Sequence, residues 1–305
     1  MKYGITGGAG FVGSHLAKLL VEKGHDVVII DNLHSGKIDN ISQISNHVKF
    51  YNNDIRNFSE IETILKSLDG IFHQAALTVV QESFTKKDEY IDVNVNGTEN
   101  IFKIGKKYGI KIVFASSSSV YGNVKKFPIS ENFPKNPINP YGQTKLDCEL
   151  LAETFCGKGG QIIGLRYFNI YGIGQTNSYA GVITKFMNKL EKNESPIIFG
   201  DGKQMRDFIY VKDVALANLS AMESKIKSGF FNIGTGHTTS IIELCEIMIA
   251  MYRCNLKPQF SDSVQGDVLM SQADTIYSKN LLQWESKTSL KDGLKELILK
   301  KEHYD

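Results

Sequence analysis

The chain has 305 residues, 42% of them hydrophobic, enough to bury one large α/β core and a smaller appended one. Its 35 lysines and arginines nearly balance 33 aspartates and glutamates, so no basic surplus suits it to nucleic acid or an anionic membrane, and any phosphate must be held locally. Cys148, Cys156, Cys245 and Cys254 lie far apart, without metal-ligand spacing, and no apolar run approaches the about 18 residues of a membrane helix, so the expectation is a cytoplasmic protein with reduced thiols and no metal.

In chain order, β-branched runs at 2–6, 26–31, 48–54, 70–75, 111–116 and 161–168 alternate with amphipathic stretches at 14–23, 58–67, 88–108 and 141–155. This alternation predicts a doubly wound parallel sheet, a Rossmann domain over residues 1–168. A glycine loop starting at residue 7 leaves no room for a signal peptide. From Asn169 the pattern turns irregular, with helices near 181–192, 211–224 and 240–252. Residues 169–305 are expected to form a second, smaller, substrate-binding lobe, packed closely on the first and returning some segments to it.

After the first strand comes Gly7-Gly8-Ala9-Gly10-Phe11-Val12-Gly13, which satisfies both a GxxGxxG and a GxGxxG reading before a helix begins. Glycine is needed there for the tight turn, for close approach of backbone N–H groups to a pyrophosphate, and for packing of the helix with its positive end toward the phosphates. The second strand ends at Asp31, where a carboxylate accepts both ribose hydroxyls of NAD and repels the 2′-phosphate of NADP, so NAD is the expected cofactor. Asp54 and Ile55 close the third strand at the adenine edge, though Asp54 equally suits a turn.

Tyr141 and Lys145 stand four positions apart at the start of a predicted helix, hence on one face. A phenol with a pKa of about 10 is a poor base at neutral pH, and a fixed ammonium beside it stabilises the phenolate and draws that pKa down. Lys145 also suits the nicotinamide ribose. The fifth strand ends in Ser116-Ser117-Ser118-Ser119-Val120-Tyr121-Gly122, and ligands of open α/β sheets bind beyond the carboxyl ends of strands. A serine hydroxyl there reaches a substrate alcohol and the tyrosine oxygen. Read blandly, the same residues are a surface tyrosine–lysine pair and a capping loop.

In this order, the glycine loop, Asp31, the serine strand end and Tyr-x-x-x-Lys resemble the NAD-dependent epimerase/dehydratase family of extended short-chain dehydrogenase/reductases. Phe72-His73-Gln74-Ala75-Ala76, Asn94-Val95-Asn96-Gly97-Thr98, Leu165-Arg166-Tyr167-Phe168-Asn169, Gly200-Asp201-Gly202, Arg206-Asp207-Phe208-Ile209-Tyr210-Val211 and Asn232-Ile233-Gly234-Thr235-Gly236 extend the resemblance over nearly the whole chain. It implies Ser117, Tyr141 and Lys145 as the catalytic set, with Tyr141 as base. It puts Phe11, Val12, Asp31, Asn32, Ala75, Ala76, Asn94 and Phe168 at the cofactor, and Asn169, Ile198, Phe199 and Arg206 at the nucleotide of a sugar-nucleotide substrate. It also implies a homodimer through helices around 94–108 and 141–155.

Within such a family, 4,6-dehydratases follow the catalytic threonine with an Asp-Glu pair, whereas this chain has Ser118 and Ser119, neither of which protonates a leaving hydroxyl. What remains is removal and return of hydrogen at C4 of a UDP-hexose, such as UDP-glucose or UDP-galactose, through a 4-keto sugar. The run Asn177-Ser178-Tyr179-Ala180-Gly181-Val182-Ile183 resembles prokaryotic-type 4-epimerases. A UDP-glucuronate epimerase or decarboxylase, a net sugar-nucleotide reductase and a non-catalytic NAD-sensing protein are the rivals, and intact Ser117, Tyr141 and Lys145 argue against the last. Val264 stands where the family carries a pyrophosphate-binding arginine, leaving Arg206 as the clearest diphosphate ligand, and Thr78 stands where many 4-epimerases carry lysine. Ser271, four places after Asp267, falls where the family's tyrosine restricts the C2 substituent to a hydroxyl, so N-acetylated hexoses are expected to fit.

Overall fold

The computed structural model describes residues 1–175, 181–263 and 268–301. At its centre is a seven-stranded, all-parallel sheet in which β1 (Lys2–Thr6) lies between β2 (Asp26–Asp31) and β4 (Gly70–His73). β3 (Val48–Asn52) follows β2 outward. On the other side β4 is followed by β5 (Lys111–Ser117), β6 (Ile162–Tyr167) and the strand Gly229–Ile233. The chain winds to β2 and β3 on one side of β1 and to β4, β5 and β6 on the other. The loops after β1 and β4 therefore part, leaving a crevice at the carboxyl ends of the strands.

The strands are apolar on both faces because helices cover both. Alternation sorts their side chains. Val27, Ile29, Phe72 and Val113 pack with Leu16, Ala17 and Leu20 of the helix Phe11–Glu22 and with Val214 and Ala217 of the helix Val211–Glu223. Val28, Ile30, Ile71, Ile112 and Phe114 turn the other way, onto Ile61, Leu65, Ile101, Phe102 and Ala152.

Every expected strand and helix forms, with altered ends. Asp54 and Ala75 lie past β3 and β4, whereas Ser117 is the last residue of β5. The stretch expected as one helix over 88–108 is α-helical at Lys87–Tyr90, π-helical over Ile91–Asn96 and α-helical again over Gly97–Tyr108. A 3.6-residue pattern does not reveal that wider turn, in which Asn94 is buried.

Beyond residue 168, apart from Gly229–Ile233, sheet structure comes in small pieces. Asn169–Tyr171 pairs with Phe208–Tyr210, Ile197–Phe199 with Gln259–Ser261, and Met205–Arg206 with both Thr239–Ser240 and Met270–Ser271. Their common core is Tyr171, Phe186, Ile198, Phe208, Leu244 and Met248. Among the described residues, no helix is long and apolar enough to cross a membrane.

Candidate active site

The first turn of the site is shaped by what a side chain would strike. Gly7 has a φ of +69°, and a Cβ there would lie 2.7 Å from the Ala75 nitrogen. A Cβ at Gly13 would run into the Gly7 carbonyl oxygen. Gly10 starts the helix Phe11–Glu22 without a side-chain cap, so the first-turn N–H groups have no partner within the helix and form an anion cradle at its positive end.

Asp31 is buried at the end of β2 and accepts hydrogen bonds from the Ala9 amide at 2.9 Å and the Leu33 amide at 2.8 Å. Burial raises its pKa, and those amides, with that of Gly10, oppose the rise. Two amides leave acceptor capacity on the carboxylate for ribose hydroxyls. Asp54, by contrast, is held by Arg56, which donates Nε at 2.9 Å and Nη2 at 2.8 Å, and by the Asn32 amide. Its pKa falls to about 2, chiefly through the Arg56 bonds, and Arg56 reaches on to Asp92.

A cleft of about 380 Å³ collects these groups. Its walls carry Gly7, Gly10, Phe11, Val12 and Gly13, then Asp31, Asn32, Asp54 and Ile55, then Ala75, Ala76 and Phe168, together with Ser117, Tyr141 and Lys145. Asn94 stands behind the wall: its side chain accepts from the Leu77 amide at 2.8 Å and donates to the Leu77 carbonyl at 3.0 Å, so it shapes the 75–78 loop. Asn169, Ile198, Phe199, Arg206 and Ser271 lie outside this cleft, on the small sheets. Ser271 sits opposite Arg206 in the parallel pairing of Met270–Ser271 with Met205–Arg206, and both are buried. Asn169 donates to the Asp207 carbonyl, and Phe199 is 39% exposed. The Ile198 side chain is fully buried in apolar core, leaving only its main chain to face a ligand. Val264, Gly266, Asp267 and residues 177–180 lie outside the described residues.

Tyr141 occupies the first turn of the helix Pro140–Cys156, which Asn139 caps by accepting from the Gly142 amide at 2.8 Å and which Pro140 pre-sets. The Tyr141 amide donates to Ser83 Oγ at 3.1 Å. Ser117, at the tip of β5, approaches the phenol closely enough to draw its pKa down, yet burial is the larger effect and pushes it up to about 12. Lys145 Nζ stands 5.9 Å from the Tyr141 ring centre and donates to the Ala115 carbonyl at 2.8 Å. The lowering expected from Lys145 is therefore corrected: burial raises the phenol, and the opposing pull comes from Ser117. His73 lies beneath, its Nδ1 at 2.6 Å from Thr6 Oγ1 and its Nε2 at 2.8 Å from Thr98 Oγ1, and burial first, then Lys145, lowers its pKa to about 3.

Several lining groups were not legible. Arg56 and Gln175 face the cleft from loops, which carry no periodic signal, and Gln74 and Tyr167, singled out above only as parts of longer motifs, line it too. Glu149, buried behind the cleft rather than lining it, did have a signal, since it continues the spacing of Tyr141 and Lys145 by four more residues.

A glycine turn at the switch point of a doubly wound sheet, a buried carboxylate at the next strand end and a Ser/Tyr/Lys group on one wall together define a class of dinucleotide-dependent α/β enzymes. The chain belongs to the NAD dependent epimerase/dehydratase family, whose model matches residues 4–234. It is 41% identical over 303 residues, 96% of each chain, to a Methanocaldococcus jannaschii protein carrying the provisional name UDP-glucose 4-epimerase. A Thermotoga maritima UDP-glucose 4-epimerase solved with UDP-glucose superposes with a TM-score of 0.95 at 35% identity, covering 100% of both chains. A Methanobrevibacter ruminantium UDP-N-acetylglucosamine 4-epimerase solved with UDP-N-acetylmuramic acid does so with a TM-score of 0.95 at 33% identity, over 100% of this chain and 99% of that one. UDP-glucuronate 4-epimerases and sugar-nucleotide decarboxylases also stand among the relatives.

Proposed function

We propose that this chain interconverts UDP-hexoses that differ in configuration at C4, with Ser117, Tyr141 and Lys145 as catalytic residues. The observation that carries this reading is the meeting of Ser117 and Tyr141 in the cleft that the glycine turn and Asp31 also line. The glycine cradle, which a Cβ would fill, and the amide-held Asp31 fit a dinucleotide, with Phe11, Val12, Asn32, Asp54, Ile55, Ala75, Ala76 and Phe168 around it. Bound there, NAD would supply a hydride acceptor and donor for C4, and its positive charge would favour the Tyr141 phenolate. Tyr141 Oη takes the proton of the 4-hydroxyl and later returns it, while the Ser117 hydroxyl holds O4 and Lys145 holds the nicotinamide ribose. Arg206 is the diphosphate ligand, and Asn169, Phe199 and the main chain of Ile198 hold the nucleotide. A homodimer forms through Gly97–Tyr108 and Pro140–Cys156, on which Tyr108 and Leu150 stay exposed, and a monomer by sedimentation at micromolar concentration rules this out.

Incubation with UDP-glucose should yield UDP-galactose, separated chromatographically, with no steady change in nicotinamide absorbance. Release of CO₂ from UDP-glucuronate, or steady consumption of NADH, overturns this reading in favour of a decarboxylase or reductase. Ser271, small and beside Arg206, leaves room for an acetamido group at C2, so UDP-N-acetylglucosamine is accepted too. The Ser271→Tyr variant should lower kcat/KM for the acetylated sugar by about 10–100-fold and spare UDP-glucose. Undiminished turnover of the acetylated sugar by that variant removes Ser271 as the gate.

A further inference from the structure

Glu149 and Arg166 form an ion pair at 2.7 Å, and their side chains are only 2% and 1% exposed. Replacing such a pair by apolar side chains of similar volume is often neutral or stabilising, so stability alone gives no reason for it. Its connections do. Glu149 lies two helical turns after Tyr141 and one after Lys145, on the same face of Pro140–Cys156. Lys145 holds the Ala115 carbonyl, and Glu149 Oε1 accepts the Ser116 hydroxyl at 2.6 Å, so one helix face grips two successive residues immediately before Ser117. Arg166 lies opposite Ser116 in the β5–β6 register and donates Nε and Nη2 to the two oxygens of Glu149. Its Nη1 donates to Tyr121 Oη at 2.7 Å and to the Glu131 carbonyl at 2.9 Å, and Tyr121 in turn donates to Asn232. Tyr121 closes the tight turn Ser118–Val120 that leaves Ser117.

We infer that the Glu149–Arg166 pair is a positioning device that sets Ser117 against Tyr141, tying the strand before the serine and the turn after it to the helix that carries the tyrosine. This rests on the reading of Tyr141 as the base. Glu149 and Arg166 touch neither substrate nor cofactor; they act through Ser116 and Tyr121. Releasing either tie lets the serine and phenol drift apart, and misplacement by about 1 Å costs up to about 100-fold in rate.

The test uses two variants of the whole protein: Ser116→Ala, which keeps the ion pair and removes one tie, and Glu149→Met with Arg166→Met, which replaces the pair by apolar bulk. Besides kcat, KM, NAD affinity and Tm, the Tyr141 phenol is titrated in the NAD-loaded protein by ultraviolet difference against Tyr141→Phe in the same background. Tyr141 is faced by Ser117 from β5, by Lys145 and Cys148 from its own helix and by Tyr167 from β6, with His73 beyond Lys145, and neither variant removes any of them. The expected result is a retained Tm and NAD affinity, kcat lower by about 10–100-fold in the double variant and by about 3–10-fold in Ser116→Ala, unchanged KM, and a phenol titrating higher in both. Wild-type kcat and titration in folded variants overturn the inference and leave the pair a packing feature. If the double variant does not fold, Ser116→Ala decides by the same criteria. Should the wild type turn over no UDP-hexose, the titration still decides, because it needs no substrate.

Discussion

Around the large sheet the cleft residues sit at strand ends and in the first turns of helices, whereas the candidates of the small sheets sit on strands two or three residues long. The former are placed first by a seven-strand ladder buried on both faces, which fixes Asp31 and Ser117 by their position along a strand and leaves side chains to refine Ser117. The latter depend on side chains acting as backbone. Asp207, fully buried, accepts from the Thr235 amide and hydroxyl, the Gly236 amide and the Ala273 amide, and so joins three segments that no long ladder connects. One region takes its frame from a long backbone ladder; the other takes its frame from single side chains.

Four variants break or sharpen that contrast. The largest effect belongs to Tyr141→Phe, which should lower kcat by about 10²–10⁴-fold while NAD affinity, measured by calorimetry, stays within about 2-fold. Asp207→Asn should strip the acceptor from at least one of these three amides, costing about 1–3 kcal/mol in urea unfolding, and should raise KM for the sugar nucleotide far more than the Kd for NAD. If both lobes weaken equally, the contrast fails.

Asp31→Ala should narrow the preference for NAD over NADP by about tenfold or more in competitive binding, since it removes charge repulsion and charge-assisted bonds together. A smaller effect appears in the pH dependence of stability. His73 titrates near 3 in the fold and near 6.5 unfolded, so between those values the unfolded chain binds one proton more. Stability is intact above about pH 6.5 and falls by about 1.4 kcal/mol per unit as the pH drops below it, down to about 3. His73→Gln should flatten that slope by one proton; identical slopes in wild type and variant between pH 7.5 and 5.5 would discard the assignment.

The sequence by itself determined the doubly wound sheet, the glycine turn, Asp31 and the grouping of Ser117 with Tyr141 and Lys145. All but one follow a local rule: strand periodicity, backbone sterics at Gly7 and Gly13, or the four-residue spacing on one helix face; the choice of Ser117 within the run 116–119 came from the family resemblance. Tertiary structure alone decided which way burial moves the Tyr141 pKa, because desolvation depends on packing from β5 and β6 that no local pattern contains. It also decided that Ile198 spends its side chain on core, that Arg206 meets Ser271, and that Gly229–Ile233 returns to the large sheet to set Asn232 beside Arg166. These contacts join residues dozens of positions apart, and only the folded chain brings them together.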